Sequence, residues 1–180
     1  MRRSMLLAAL VLLPVAATAQ DRSAFHPGPV FKDFAPIADV QSDVAIPKGT
    51  HFKVDFDVSE KAKPGELSRA IEAAGRFINM HVAAGVPLES IKVAIVVHGG
   101  AVADLLNPAS YAARNEGKAN GSATAIAQLI GKGVEIHMCG QSAASYGIKN
   151  ADLLPGVKMT LSAMTSHALL QQAGYTLNPF

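Results

Sequence analysis

The run Ile91 to Val97 constrains this chain more than any other, because it is apolar at every position except Lys92. A strand that is apolar on both faces must be covered on both. It therefore belongs at the centre of a parallel sheet with helices above and below. The segments around it repeat that theme. His51 to Val58 alternates with period two, with Phe52, Val54, Phe56 and Val58 sharing one face, and reads as a strand. Pro64-Gly65 opens a helix over 66–84, in which Leu67, Ile71, Ala74, Ile78 and Val82 form a stripe, and Gly85-Val86-Pro87 ends it.

Downstream the alternation continues. Ala101 to Leu106 has room for a helical turn or two, and Pro108 to Gly121 reads as a polar loop with weak helical character near Tyr111. Asn120-Gly121-Ser122 offers a cap for a helix over 123–130, closed by Gly131-Lys132-Gly133. Val134 to Met138 is a strand, Gln141 to Tyr146 a short helix stopped by Gly147, and Val157 to Leu161 a further strand. Ser162 to Ala173 is the last helix and Tyr175 to Leu177 the last strand. Such alternation predicts a three-layer α/β/α sandwich around a mainly parallel sheet of about five strands. At 180 residues the chain suits one such domain, here 51–180. Met80 and the aromatic residues are expected in its core.

The amino terminus is organised differently. Arg2 and Arg3 precede an apolar run from Met5 to Val15, and Ala17-Thr18-Ala19 fits a signal-peptidase site. Residues 1–19 therefore read as a cleaved signal peptide, which predicts a periplasmic or secreted protein touching the membrane only before cleavage. Removal of Arg2 and Arg3 leaves 14 basic against 14 acidic residues. With no Lys/Arg cluster, nucleic acid is excluded as a partner. Residues 20–50 form a proline-rich arm. Pro27, Pro29, Pro36 and Pro47 break any long helix, while Phe25, Val30, Phe31 and Phe34 supply anchors. The arm is expected to lie extended on the domain or on a neighbouring subunit, with its first ten residues equally suited to a free end.

Cys139 is the only cysteine. That excludes an internal disulfide framework and a cysteine-rich zinc site, and the histidine spacings match no metal motif. No metal and no cofactor is expected. Cys139 falls between the strand ending at Met138 and the helix starting near Gln141, at the carboxyl edge of the sheet, where ligands bind in open α/β folds. Backbone N–H groups at such a turn favour thiolate over thiol. Gly140 leaves room for the turn and Gln141 follows it, so both are pocket candidates. The opposing reading is a small, inert core residue. Gly99-Gly100 follows the central strand as a tight turn, lacks a nucleotide-loop pattern, and is a further pocket candidate. Asn107 and Asn120 are additional polar groups able to approach a cleft. His137 reads as a satisfied core histidine, and His81 and His167 as helix residues in packing or at the surface.

Taken together, Phe52 to Asp57, Arg76 to His81, Val96 to Gly100, Val134 to Ser142 and Leu153 to Val157 resemble the DsrE/DsrF-like family, which includes the YchN-like and Tus sulfur-relay proteins. The resemblance spans residues 25–178 and is closest to exported members with a proline-rich arm. It implies neighbouring second and third strands, so that His98 and Cys139 would face one cleft and His98 could assist the thiol. It also implies a homotrimer or homohexamer, and sulfur donor and acceptor proteins as partners. The role that maps onto Cys139 is persulfide carriage, a sulfur-transfer activity. Two alternatives stand beside it. One is a non-enzymatic oligomeric protein binding a small ligand or partner; the other is a thiol redox sensor acting through sulfenic acid or an intermolecular disulfide.

Overall fold

The structure is a computed structural model that describes residues 22–179. The expected signal peptide and its cleavage site lie outside the described residues. Five parallel strands form the sheet in the order β6-β5-β4-β3-β7: β3 Phe52–Val58, β4 Ile91–Val97, β5 Glu135–Cys139, β6 Lys158–Thr160 and β7 Thr176–Asn178. The apolar run is the central strand, as its composition requires. Its register sets Val58 beside Val97 and Val97 beside Met138, so the three inner strands end at one edge.

The two faces of the sheet are unlike. Helices α1 (Arg69–Ala83) and α3 (Ala123–Gly131) cover one face. There Ile71, Ala74, Ile78, Ala125, Ile126 and Leu129 pack with Val54, Phe56, Ile95, Ile136 and Met138 in the main core. Each fully buried aliphatic side chain of this kind contributes about 1.5–3 kcal/mol of transfer free energy. Helix α5 (Ala163–Gln172) covers the other face, where buried apolar packing reduces to Ala94, Val96 and Leu170 with Ala163 and Tyr175 beside them. A three-layer α/β sandwich is therefore present, but one layer is held by far less apolar surface than the other.

The arm folds back on its own domain. Strands β1 (Phe25–His26) and β2 (Ile37–Ala38) pair antiparallel, and Phe31, Ala35 and Ile37 are buried. A polar stripe on α1 holds the segment between them. Asn79 Oδ1 accepts from the N–H groups of Val30 and Phe31, and its Nδ2 donates to the carbonyls of Phe31 and Ala35. Glu72 accepts from Ala35 N–H, and Arg76 Nε donates to Pro36 O. Glycine inside a helix costs about 1 kcal/mol against alanine. Gly75 is nonetheless required, because a Cβ there would lie 2.7 Å from Phe34 Cε2.

Two expectations need correction. Pro108–Arg114 is a helix, α2, rather than a loop: Asn107 caps it by accepting from Ser110 N–H, and Pro108 occupies its first turn, where no N–H is needed. Met80 is 43 % exposed and Tyr146 50 %, so neither is a core residue.

Candidate active site

A cleft of about 290 Å³ opens where β3, β4 and β5 end, walled by the first turns of α5 and of the short helix α4 (Gly140–Ser145). Asp57, His98, Cys139, Gln141, Ser142 and His167 line it, with Met164 and Leu177 among its apolar walls.

Cys139 ends β5 and precedes α4 with an extended backbone. Helix α4 starts hard against β6, since a Cβ on Gly140 would sit 2.4 Å from the Thr160 carbonyl oxygen. Only glycine permits that approach. The residue is just 5 % exposed, so its sulfur lies at the floor of the cleft rather than on an open rim. Burial by itself would raise the thiol pKa. Hydrogen bonds from the Ser142 hydroxyl and from the N–H groups of Ser142, Ala163 and Gln141 outweigh that, and the thiol is held below its ordinary value. The donors come from two elements, α4 and the start of α5. Ser142 is fixed in turn, because its Oγ accepts from Gly99 N–H at 3.0 Å. Gly99 adopts φ +54°, a left-handed conformation that glycine takes without strain.

His98 follows β4, with its N–H bonded to the carbonyl of Val58 at 2.9 Å. Its Nε2 lies 2.9 Å from Asp57 Oδ1. Asp57 also meets His167 from α5: His167 Nε2 is 3.0 Å from Asp57 Oδ1, and His167 Nδ1 is 2.6 Å from Asp55 Oδ2. Four ionisable groups thus run from the cleft to the interior in the order His98, Asp57, His167, Asp55. Asp55 is fully buried, and its Oδ1 has no hydrogen-bond partner among the described residues. Its pKa is raised, by burial first, against the lowering effect of His167. Burial also pulls His167 down, but its two carboxylate partners outweigh this and its pKa is raised.

Of the residues singled out from sequence, Cys139, His98 and Gln141 meet in the cleft. Gly99, Gly100 and Gly140 do not line it. Gly99 acts at one remove through Ser142, Gly140 admits the turn, and Gly100 packs near Lys61 and Tyr146. Asn107 and Asn120 hold loop backbone instead, through Ala151 O and through Asp104 O and Leu106 O. His81 packs edge-on against Phe52 and at a tilt against Phe77. His137 is mostly buried, but its Nδ1 has no hydrogen-bond partner among the described residues, so it is not a satisfied core histidine.

Sequence reasoning missed Asp57, His167 and Ser142. The available cue was the pair Asp55 and Asp57, carboxylates on the second face of a strand that a parallel sheet would bury on both sides. Among the described residues, no group of three or more His, Cys, Asp or Glu side chains is placed to hold a metal.

No curated protein matches the chain. Solved structures share the fold, two of which show the extent of the likeness. One is a protein of unknown function, MTH1491 from Methanobacterium thermoautotrophicum, at 20% identity and a TM-score of 0.54. The other is the ychN protein from E. coli, at 14% identity and a TM-score of 0.54. Each superposition covers 72% of this chain and 99% of the other. The model of the DsrE/DsrF-like family matches residues 57–179, a span that holds Asp57, His98, Cys139, Ser142 and His167, and the chain belongs to that family.

Proposed function

We propose that this protein carries sulfur as a persulfide on Cys139, in the exported compartment that its leader implies. The observation that supports this most directly is the sulfur at the cleft floor, surrounded by four hydrogen-bond donors that favour the thiolate. A sulfur carrier needs a nucleophilic and readily displaced thiolate, and such donors serve both needs. Membership of a family with sulfur-relay proteins points the same way.

Loading begins when the Cys139 thiolate attacks the outer sulfur of a donor persulfide, R–S–SH. The Sγ–S bond forms, the donor's S–S bond breaks, and R–S⁻ leaves, taking a proton from His98. In unloading, an acceptor thiol returns its proton to His98 and attacks the outer sulfur, and Cys139 departs as thiolate. No net oxidation occurs in either half, so a second cysteine is unnecessary. Donor and acceptor are thiols or persulfides on other molecules. The homotrimer or homohexamer that the resemblance implies is part of this proposal.

Incubation with a sulfane-sulfur donor, followed by intact-mass measurement, should add one sulfur to the wild-type protein and none to Cys139→Ser. Equal masses before and after would end this reading. Redox sensing through an intermolecular disulfide would instead appear as peroxide-dependent dimers without sulfur uptake. Binding of a small ligand without sulfur transfer would appear as cleft occupancy with no mass gain on Cys139.

A further inference from the structure

Helix α5 closes one wall of the cleft, yet little apolar surface holds it. Its buried partners on the sheet are Ala94 and Val96, while Met164 and Leu169 on the helix are 78 % and 60 % exposed. Polar ties do most of the anchoring. Ser166 Oγ donates to Thr160 Oγ1 at 2.9 Å, and His167 bridges Asp55 and Asp57 on β3. The helix thus pinned delivers the Ala163 N–H to the Cys139 sulfur, and Ser162 caps it through Thr165 N–H. The same bridge seats Asp57, against which His98 rests.

We propose that His167, clamped between Asp55 and Asp57, is a positioning residue for Cys139 that couples the thiol's reactivity to the proton held by the Asp55–His167 pair. The inference rests on the reactive thiol proposed above, but not on the identity of the group that it carries. In the protonated pair both ring nitrogens of His167 donate, Nε2 to Asp57 and Nδ1 to Asp55. Loss of either ring proton sets a lone pair against a carboxylate, that of Asp57 or that of buried Asp55, whose Oδ1 already lacks a partner. That contact is repulsive, and the first turn of α5 is released from β3. The Ala163 donor then weakens at the sulfur. Besides the two aspartates, the groups around the pair are His98 after β4, His137 on β5 and Tyr175 before β7, with Glu135 on β5 and Lys158 on β6 behind His137 and Tyr175.

The test is a thiolate titration by ultraviolet absorbance from about pH 5 to about pH 9, read as the difference from Cys139→Ser, with alkylation rate as a second signal. The variants are His167→Gln and the near-isosteric Asp55→Asn. In wild type the alkylation rate should follow two ionisations. In His167→Gln it should follow one, and in Asp55→Asn the imidazole step should move to lower pH. In both, the thiol titration should move to higher pH and the rate near neutral pH fall roughly tenfold, as the loss of about one pK unit of thiolate stabilisation requires. Curves from folded variants that superpose on wild type would overturn the proposal, even if the variants melt earlier. If His167→Gln fails to fold, Asp55→Asn and the wild-type profile still decide, because a single wild-type ionisation would also overturn it. Sulfur uptake is measured separately. Wild type that gains no sulfur but shows the two-step titration refutes carriage and supports the coupling.

Discussion

Ser142 stands three residues after Cys139 and does two jobs with one hydroxyl. It accepts from Gly99 N–H and donates to the Cys139 sulfur. Hydrogen bonds to charged groups contribute about 1.5–3 kcal/mol, so Ser142→Ala should raise the thiol pKa and slow alkylation near neutral pH by roughly tenfold or more. It should also cost about 1 kcal/mol of stability, because the Gly99 N–H loses its acceptor. Competitive alkylation of the two proteins measures the first effect; equal rates would remove Ser142 from the site. His98 works differently. Its nearest charged neighbour is Asp57, 2.9 Å away, and the donors that hold the thiolate come from α4 and α5.

Among the elements, α1 is the one most visibly shaped by a partner. Glu72, Arg76 and Asn79 recur at helical spacing and grip the arm, while Gly75 lets Phe34 lie flat against the helix. Asn79→Ala would strand four backbone groups at once: two N–H donors and two carbonyl acceptors. Even with water entering, we expect a loss of about 3 kcal/mol, since each buried unsatisfied group costs about 1–3 kcal/mol. Limited proteolysis should then cut within 22–50 while the sheet domain stays intact. An arm as resistant as wild type would contradict this. Helix α2 teaches a related lesson. Its caps were in the sequence, but seven residues of weak amphipathicity form a helix only because Tyr111 is fully buried.

For the molecule as a whole, the unequal layers make stability depend on pH. His167 has its pKa raised above the ordinary 6.5, and Asp55 is raised as well. A group raised on folding contributes most below its unfolded pKa, and that contribution is lost as pH rises through the folded value. The His167 contribution should therefore fall as pH rises beyond about 6.5, and the Asp55 contribution from its ordinary 3.8 upward. Cys139, held low, contributes in the opposite sense, so the comparison belongs in a Cys139→Ser background. There the denaturation midpoint should be higher at about pH 6 than at about pH 8, and the difference should shrink when His167→Gln is added. Equal slopes with and without His167 would count against the pair. The sequence alone determined the order of the five sheet strands and of the helices other than α2, the central place of Ile91–Val97 and the position of Cys139 at a strand-to-helix turn, because periodicity, glycine and caps are local. The joining of Asp55, Asp57, His98 and His167 was decided by tertiary structure. Those side chains lie on β3, after β4 and on α5, separated by up to 112 positions, and only the parallel register and the docking of α5 bring them together. The depth of the thiol was decided in the same way, because whether a turn opens to solvent depends on the helix that packs beside it, and α5 covers this one.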